Sequence, residues 1–419
     1  MHLWTIVLRN IRQRSLSSTL TAASIALGVA VVVAVLALKD QSQQGFRQSA
    51  VPYDLVVGAK GSRLQLVLNT LFHMDRSAGN VPFKLYQSLK GDRRVKAAVP
   101  VSVGDVYKGH RIVGTTDAFF TQFEVRKDVP FALSEGRFFK VDEEHLEHVL
   151  TAPADHAHEG EEAVFEAVLG ARAAASTGLR VGGSLKAQHG GDFGEEHEET
   201  WKVVGVLAPT GTAHDRAVFI NLESFYHIAG HTKEAATRGM VSAVLLRTRG
   251  DRAADDLEYE LNQGTAAMAV PPAEVVLELF DLIGKVDVLL LAVSALVIVV
   301  AAVSILVSIY NSMAERRRAI AIMRALGARR TQILSIVVFE AAALCLFGGV
   351  AGLVLGHLLT AVAAGVLASE AGIVVSPLAV QAVEGLVLVG VVVLGGISGL
   401  VPALRAYRTD IADGLSPTS

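Results

Sequence analysis

The chain has 419 residues, 51% hydrophobic and 19% charged, with 38 basic against 41 acidic side chains for a net charge of −3. That is too apolar for an ordinary water-soluble domain, and so balanced a charge singles out no partner; nucleic acid is not expected as one. The single cysteine, Cys345, excludes a disulfide framework, so any folded domain must hold itself together by burying a core.

Residues 1–14, "MHLWTIVLRNIRQR", put Leu3, Trp4, Val7, Leu8 and Ile11 on one helical stripe with arginines opposite. This predicts an amphipathic helix lying in the membrane interface. Leu20 to Leu38 follows without a charge, and crossing about 30 Å of hydrocarbon takes about 20 such residues. No small-residue cleavage pattern comes after it, so it reads as a retained anchor, continued by "KDQSQQGFRQSA" as a stalk helix over 15–50. Residues 51–270 mix β-rich runs ("YDLVVGAKG", "KAAVPVSVGDVYKGHRIVGTT", "WKVVGVLAPTG", "SAVLLRTRG") with short helices closed by glycine ("VPFKLYQSLKG", "ARAAASTGLRVGG"). An α+β domain of one or two subdomains is predicted there.

From Pro271 apolar residues recur at helical spacing and merge into the uncharged run Val288–Tyr310, giving a stalk helix and second span over 271–310. A charged segment over 311–332 separates this from a third span over 333–366. An external loop (367–384), a fourth span (385–406) and a tail (407–419) complete the chain. The fold class is therefore a polytopic helical membrane protein with four transmembrane helices and a large extracytoplasmic α+β domain between the first two. Arginines crowd the N-terminal segment and 311–332, whereas the loop after the third span has none. By the positive-inside rule both termini and the arginine segment face the cytoplasm.

Inside the spans, Glu340 is a buried carboxylate candidate, read as structural rather than as an ion relay. Gly348, Gly352 and Gly356 repeat at four-residue spacing, as do Gly395 and Gly399, which predicts close helix packing. Outside, "EEHLEHVLTAPADHAHEGEE" mixes imidazoles with acids. His145, His148, His156 and His158 are candidate zinc or copper ligands, and a solvated loop reads as well from the same spacing. No phosphate loop, nucleophile elbow or zincin helix is present in the sequence, so the chain is expected neither to hydrolyse ATP nor to be an enzyme, and to bind no cofactor of its own apart from zinc in that loop.

The segment Asn311–Arg330, "NSMAERRRAIAIMRALGARR", holds six arginines and one glutamate between two apolar runs. Ile320, Met323 and Leu326 lie on one stripe, ringed by Arg316, Arg318, Arg324 and the others, and Gly327 stands where a left-handed helix cap belongs. Such a short helix can dock in a partner's groove, or simply mark topology and meet lipid headgroups.

"ERRRAIAIMRALGARRTQILSIVVFEAAALCLFGGVAGLVLG" resembles the signature of the FtsX-like permeases, the MacB/LolC type of ABC transporter subunit. Glu315, Arg316, Arg324, Ala325, Leu326, Gly327 and Glu340 match, and Ala319 departs from the family's usual glutamate. The tail "VPALRAYRTDIADGLS" and the fragments "LSEGRFF" and "WKVVGVLAPTGTAHDRAVFINLESF" are similar as well. The resemblance implies a bacterial inner-membrane permease, acting as a homodimer with two copies of a separate ATPase that binds ATP and magnesium. Glu315 to Gly327 would be the helix seated on that ATPase. It also implies a MacB-like periplasmic domain reshaped by mechanotransmission to export or extract an envelope substrate: a lipoprotein, peptide, drug or metal-linked cargo. A periplasmic adaptor or substrate-binding protein is a further expected partner. The alternatives are a scaffold activating a cell-wall hydrolase and a metal-responsive sensor.

Overall fold

The computed structural model describes residues 7, 9, 12, 15–74, 76–142, 144–147, 165–189, 196–228, 239–325, 327–371 and 375–408. The predicted interfacial helix and three of the four loop histidines (His148, His156 and His158) lie largely or wholly outside them. The chain divides into a helical unit (Met1–Gln41, Ile283–Val366, Val375–Ser419) and a sheet-bearing unit (Ser42–Leu282, Leu367–Val374).

Among the described residues four helices are long and apolar enough to cross a membrane: Ser15–Ala50, Pro272–Ala325, Arg330–Ala371 and Ala382–Arg408. The second begins with proline at its first position, where the missing N–H costs nothing. No further proline interrupts its 54 residues, so it runs about 80 Å at 1.5 Å per residue. In the helical unit Ile25, Val29 and Val33 of the first helix pack with Val337, Ala341 and Cys345 of the third and Val391 of the fourth.

The other unit is built on an eleven-stranded sheet. Its main path runs Met268–Val270, Leu55–Gly58, Ala243–Thr248, Val95–Tyr107, His110–Thr115, Val218–Asn221, Glu166–Leu169, Trp201–Leu207 and Leu133–Gly136. Most neighbours are antiparallel. Val218–Asn221 is parallel to His110–Thr115, and Trp201–Leu207 to Glu166–Leu169. The hairpin Val95–Tyr107/His110–Thr115 turns at Lys108 and Gly109, with φ of 46° and 78°, as a two-residue turn matched to strand twist requires. The core holds Leu55, Ile112, Trp201, Val218 and Leu246 at no more than 1% exposure. The buried Trp201 indole donates to Ser224 Oγ at 2.8 Å, so its polar edge is satisfied.

The long strand Val95–Tyr107 carries one irregularity. Opposite His110–Thr115 its register slips between Val103 and Val106, a bulge that contains Gly104 and Asp105. Beyond the reach of Ala243–Thr248, this end of the strand pairs instead with the short strand Gln188–His189.

Candidate functional site

The arginine segment does not form a helix of its own, contrary to the sequence-based expectation. Residues 311–325 continue the second long helix, because neither glycine nor proline intervenes between Val288 and Ala325. Glu315, Arg316, Arg318, Ile320, Met323, Arg324 and Ala325 therefore share one backbone with the second span, and Leu326 lies outside the described residues. The helix ends at Gly327, whose φ is +95°. The Ala328 N–H donates to Met323 O at 3.0 Å, the six-to-one bond of a Schellman closure. A Cβ on Gly327 would meet nothing within 4 Å, so the glycine supplies conformation rather than space. Gln332 then accepts from the Arg329 N–H at 2.8 Å and caps the third helix, which starts at Arg330. Two caps within a few residues leave this turn little freedom.

The span glycines face specific partners. A Cβ at Gly348, Gly352 or Gly356 would lie 2.8 Å from Ala22 O, 2.6 Å from Val29 Cβ and 2.9 Å from Val33 Cβ respectively. The three thus form a groove filled by one face of the first helix, whose own small residues Ala22, Ala26 and Ala30 run along it. Gly399 would meet Ala341 Cβ at 2.9 Å, and Gly395 is covered by Cys345 of the third helix. Glu340 is buried at 8% exposure. At the other end of the third helix, His357 Nδ1 donates to Pro377 O at 2.8 Å and Nε2 lies 3.2 Å from Glu384 Oε2. Gln41 Oε1 accepts from the Ser376 N–H at 2.6 Å, and Asp40 accepts from Gln381 Nε2 at 3.1 Å. These contacts join the first, third and fourth helices in one polar layer.

Within the sheet-bearing unit the ends of the first two helices meet each other. Phe46 and Phe280 rings lie 5.6 Å apart, and Phe46 packs on Phe72 at 4.7 Å. Phe72 ends the helix Arg63–Phe72, and Arg63 at its start reaches Glu278 at 3.2 Å and Glu274 at 3.5 Å. That helix lies on the strand Leu55–Gly58, where Gly58 leaves room for the Leu66 side chain. These contacts link the ends of both helices to the sheet through the helix Arg63–Phe72.

The histidines are placed by tertiary structure. His145 Nε2 stands 3.1 Å from the buried Glu223 Oε1, which His227 Nε2 approaches at 3.9 Å from the other side. His214 is enclosed by Phe119, Phe131 and Phe219, with its Nδ1 3.0 Å from His73 Nε2 and its Nε2 3.2 Å from the Tyr53 hydroxyl. Burial pulls the His214 pKa down to about 4 and holds that of His73 well below the ordinary value. Sequence reasoning passed over another group, Asp105, His189 and His197, whose ligand atoms all lie within 4.8 Å of one another.

Comparison with known proteins agrees with this architecture. Residues 18–263 match the MacB-like periplasmic core domain and residues 291–411 the FtsX-like permease C-terminal family. An uncharacterized ABC transporter permease of Methanocaldococcus jannaschii is 24% identical over 374 residues, spanning 85% of this chain and 83% of that protein. The macrolide export ATP-binding/permease protein MacB of Nitrobacter winogradskyi is 34% identical over 130 residues, only 31% of this chain and 19% of that protein. The periplasmic region of MacB from Actinobacillus actinomycetemcomitans aligns with 56% of this chain and 96% of its own, at 10% identity and a TM-score of 0.33. With its core-domain match covering more than half of its length and an FtsX-like segment following, the chain belongs to the membrane-spanning ABC transporter permeases of the MacB/FtsX type, which work with an ATPase subunit.

Proposed function

We propose that this chain is the permease through which a separate ATPase, seated on the turn that ends at Gly327, drives shape changes in an external domain. The observation that carries this reading is the continuity of the helix Pro272–Ala325, closed by the Schellman bond from Ala328 to Met323. A rigid helix converts a push at one end into displacement at the other, provided the packing it moves has two stable arrangements. Phe280, Glu274 and Glu278 are where the far end of that helix would deliver the movement, through Phe72 and Arg63.

In this reading the membrane is the bacterial inner membrane, and both termini and the arginine segment are cytoplasmic, since arginines concentrate there. Two copies of the chain would engage two ATPase subunits. Much of the apolar window of the second helix is exposed within one copy, with Val288 and Leu296 at 67% and 62% exposure, and it offers the face for the second copy. The substrate is an envelope molecule of the lipoprotein, peptide, drug or metal-linked class, exported or extracted without passing through the four helices.

The test is ATP hydrolysis by the partner ATPase co-reconstituted with this chain in lipid, comparing wild type with Arg324→Glu and Leu326→Arg. Loss of the complex and of its turnover in both variants is the expected result. Unchanged assembly and turnover would reduce the arginine segment to a topology marker and move a non-transporting scaffold to the front.

A further inference from the structure

We propose that Asp105, His189 and His197 form a binding site for a divalent transition metal ion with a preference for nitrogen and oxygen donors, zinc(II) foremost. The site uses none of His145, His148, His156 and His158 and does not depend on the coupling role of the arginine segment.

The backbone assembles it from two places. Asp105 sits in the bulge of the strand Val95–Tyr107, and bulges turn a side chain out of the regular alternation. His189 is its direct cross-strand partner. His197 is held beside the strand Gln188–His189 by its N–H donating to Ala187 O at 2.9 Å and by the antiparallel bridge between Gln188 and Glu196. One carboxylate and two imidazoles from three backbone positions thus converge.

The spacing is one that a metal ion can bridge. His189 Nδ1 lies 3.3 Å from Asp105 Oδ1, and His197 Nε2 lies 3.6 Å from Asp105 Oδ2. The second separation is longer than an N–H···O hydrogen bond, which ends at about 3.2 Å. Ligand atoms at about 2.0–2.2 Å from a tetrahedral zinc are separated by about 3.3–3.6 Å, and the two imidazole–carboxylate separations are compatible with that, with all three ligand atoms within 4.8 Å of one another. Asp105 has no exposed surface. A dication held there would place positive charge directly beside this enclosed carboxylate. His197 is nearly covered while His189 is 62% exposed, so the group is closed on the inside and reachable from solvent. Three protein ligands leave a fourth position to water or to an incoming donor. Binding would staple His189 and His197 to the long strand Val95–Tyr107.

The experiment titrates zinc(II) into the full-length chain in lipid nanodiscs by calorimetry, with cobalt(II) absorption reporting a low-coordinate N/O site. The variants are Asp105→Asn, His189→Gln and His197→Gln, beside a fourfold control in which His145, His148, His156 and His158 become Gln. The expected result is a zinc equivalent that survives the fourfold control and is weakened more than about tenfold by each single change, since even outer-shell changes commonly cost that much. His189→Gln alters an exposed side chain, so its effect can be read even if Asp105→Asn fails to fold. Binding untouched by His189→Gln, binding abolished by the fourfold control, or no binding at micromolar zinc would each overturn the assignment.

Discussion

Gly352→Ala should destabilise the helical unit, because the added carbon has nowhere to go. An ideal Cβ there lies 2.6 Å from Val29 Cβ, 2.8 Å from Ala26 O and 2.9 Å from Val29 Cγ1. Carbon atoms rest at about 3.5–4.0 Å, so the first and third helices must part by about 1 Å. Two of the three obstacles sit on or next to the backbone, so rotamer changes give little relief. Overpacking of this kind costs about 1–3 kcal/mol. Lipid is as apolar as the helix surfaces, so close packing is a large share of what holds the two helices together, and its loss has few substitutes. Gly390 and Gly365, in the fourth and third helices, provide the contrast, since a Cβ at either meets nothing within 4 Å. There alanine should be neutral or stabilising by up to about 1 kcal/mol through helix propensity. The assay is unfolding of the reconstituted chain in bicelles, by thermal or SDS titration, comparing Gly352→Ala with Gly390→Ala. The two should differ by about 1–4 kcal/mol, with Gly352→Ala the less stable. Equal stability of the two variants would refute the claim that the groove is closed by backbone contact.

Further expectations concern the turn, the buried histidines and the helix ends. Gly327→Ala places an L-residue at φ +95° and should cost about 1–2 kcal/mol of local strain, lowering ATPase stimulation well before the chain unfolds in thermal melts. His214 stays neutral in the folded state with a pKa near 4, while the unfolded chain takes up a proton near pH 6.5. Stability should therefore fall as pH drops from about 6.5 to 4, by about 1.4 kcal/mol per pH unit from this group alone. A pH series of denaturation curves should show that slope shrinking in His214→Gln, whereas parallel wild-type and variant curves would contradict the assignment. Arg63→Ala removes ion pairs to Glu274 and Glu278 that are largely exposed, so stability should change by less than about 1 kcal/mol. The same variant should uncouple ATP turnover from substrate release, a difference that transport and ATPase assays on one preparation would resolve.

The parts of this protein that are local could be read along the chain. A run such as Leu20–Leu38 declares a span because about 20 apolar residues in sequence suffice, whatever they later touch. The cap at Gly327 was legible for the same reason, since a left-handed conformation is a property of one residue and its neighbours. Glycine spacing likewise announced a groove, without saying that Val29 and Val33 would fill it. The arginine segment was misread as a separate short helix because charge changed where helical backbone did not. The metal-capable group was invisible: His189 and His197 sit 84 and 92 residues from Asp105 in sequence, and only a bulge in one strand and the register of another bring them together. Composition and periodicity determined the four long helices, the mixed domain between the first two and the helix-ending glycine. Which helix faces which glycine, which carboxylate each imidazole meets, and how Phe46 reaches Phe280 were decided only by tertiary structure, because each depends on the distance between segments that the covalent chain leaves free.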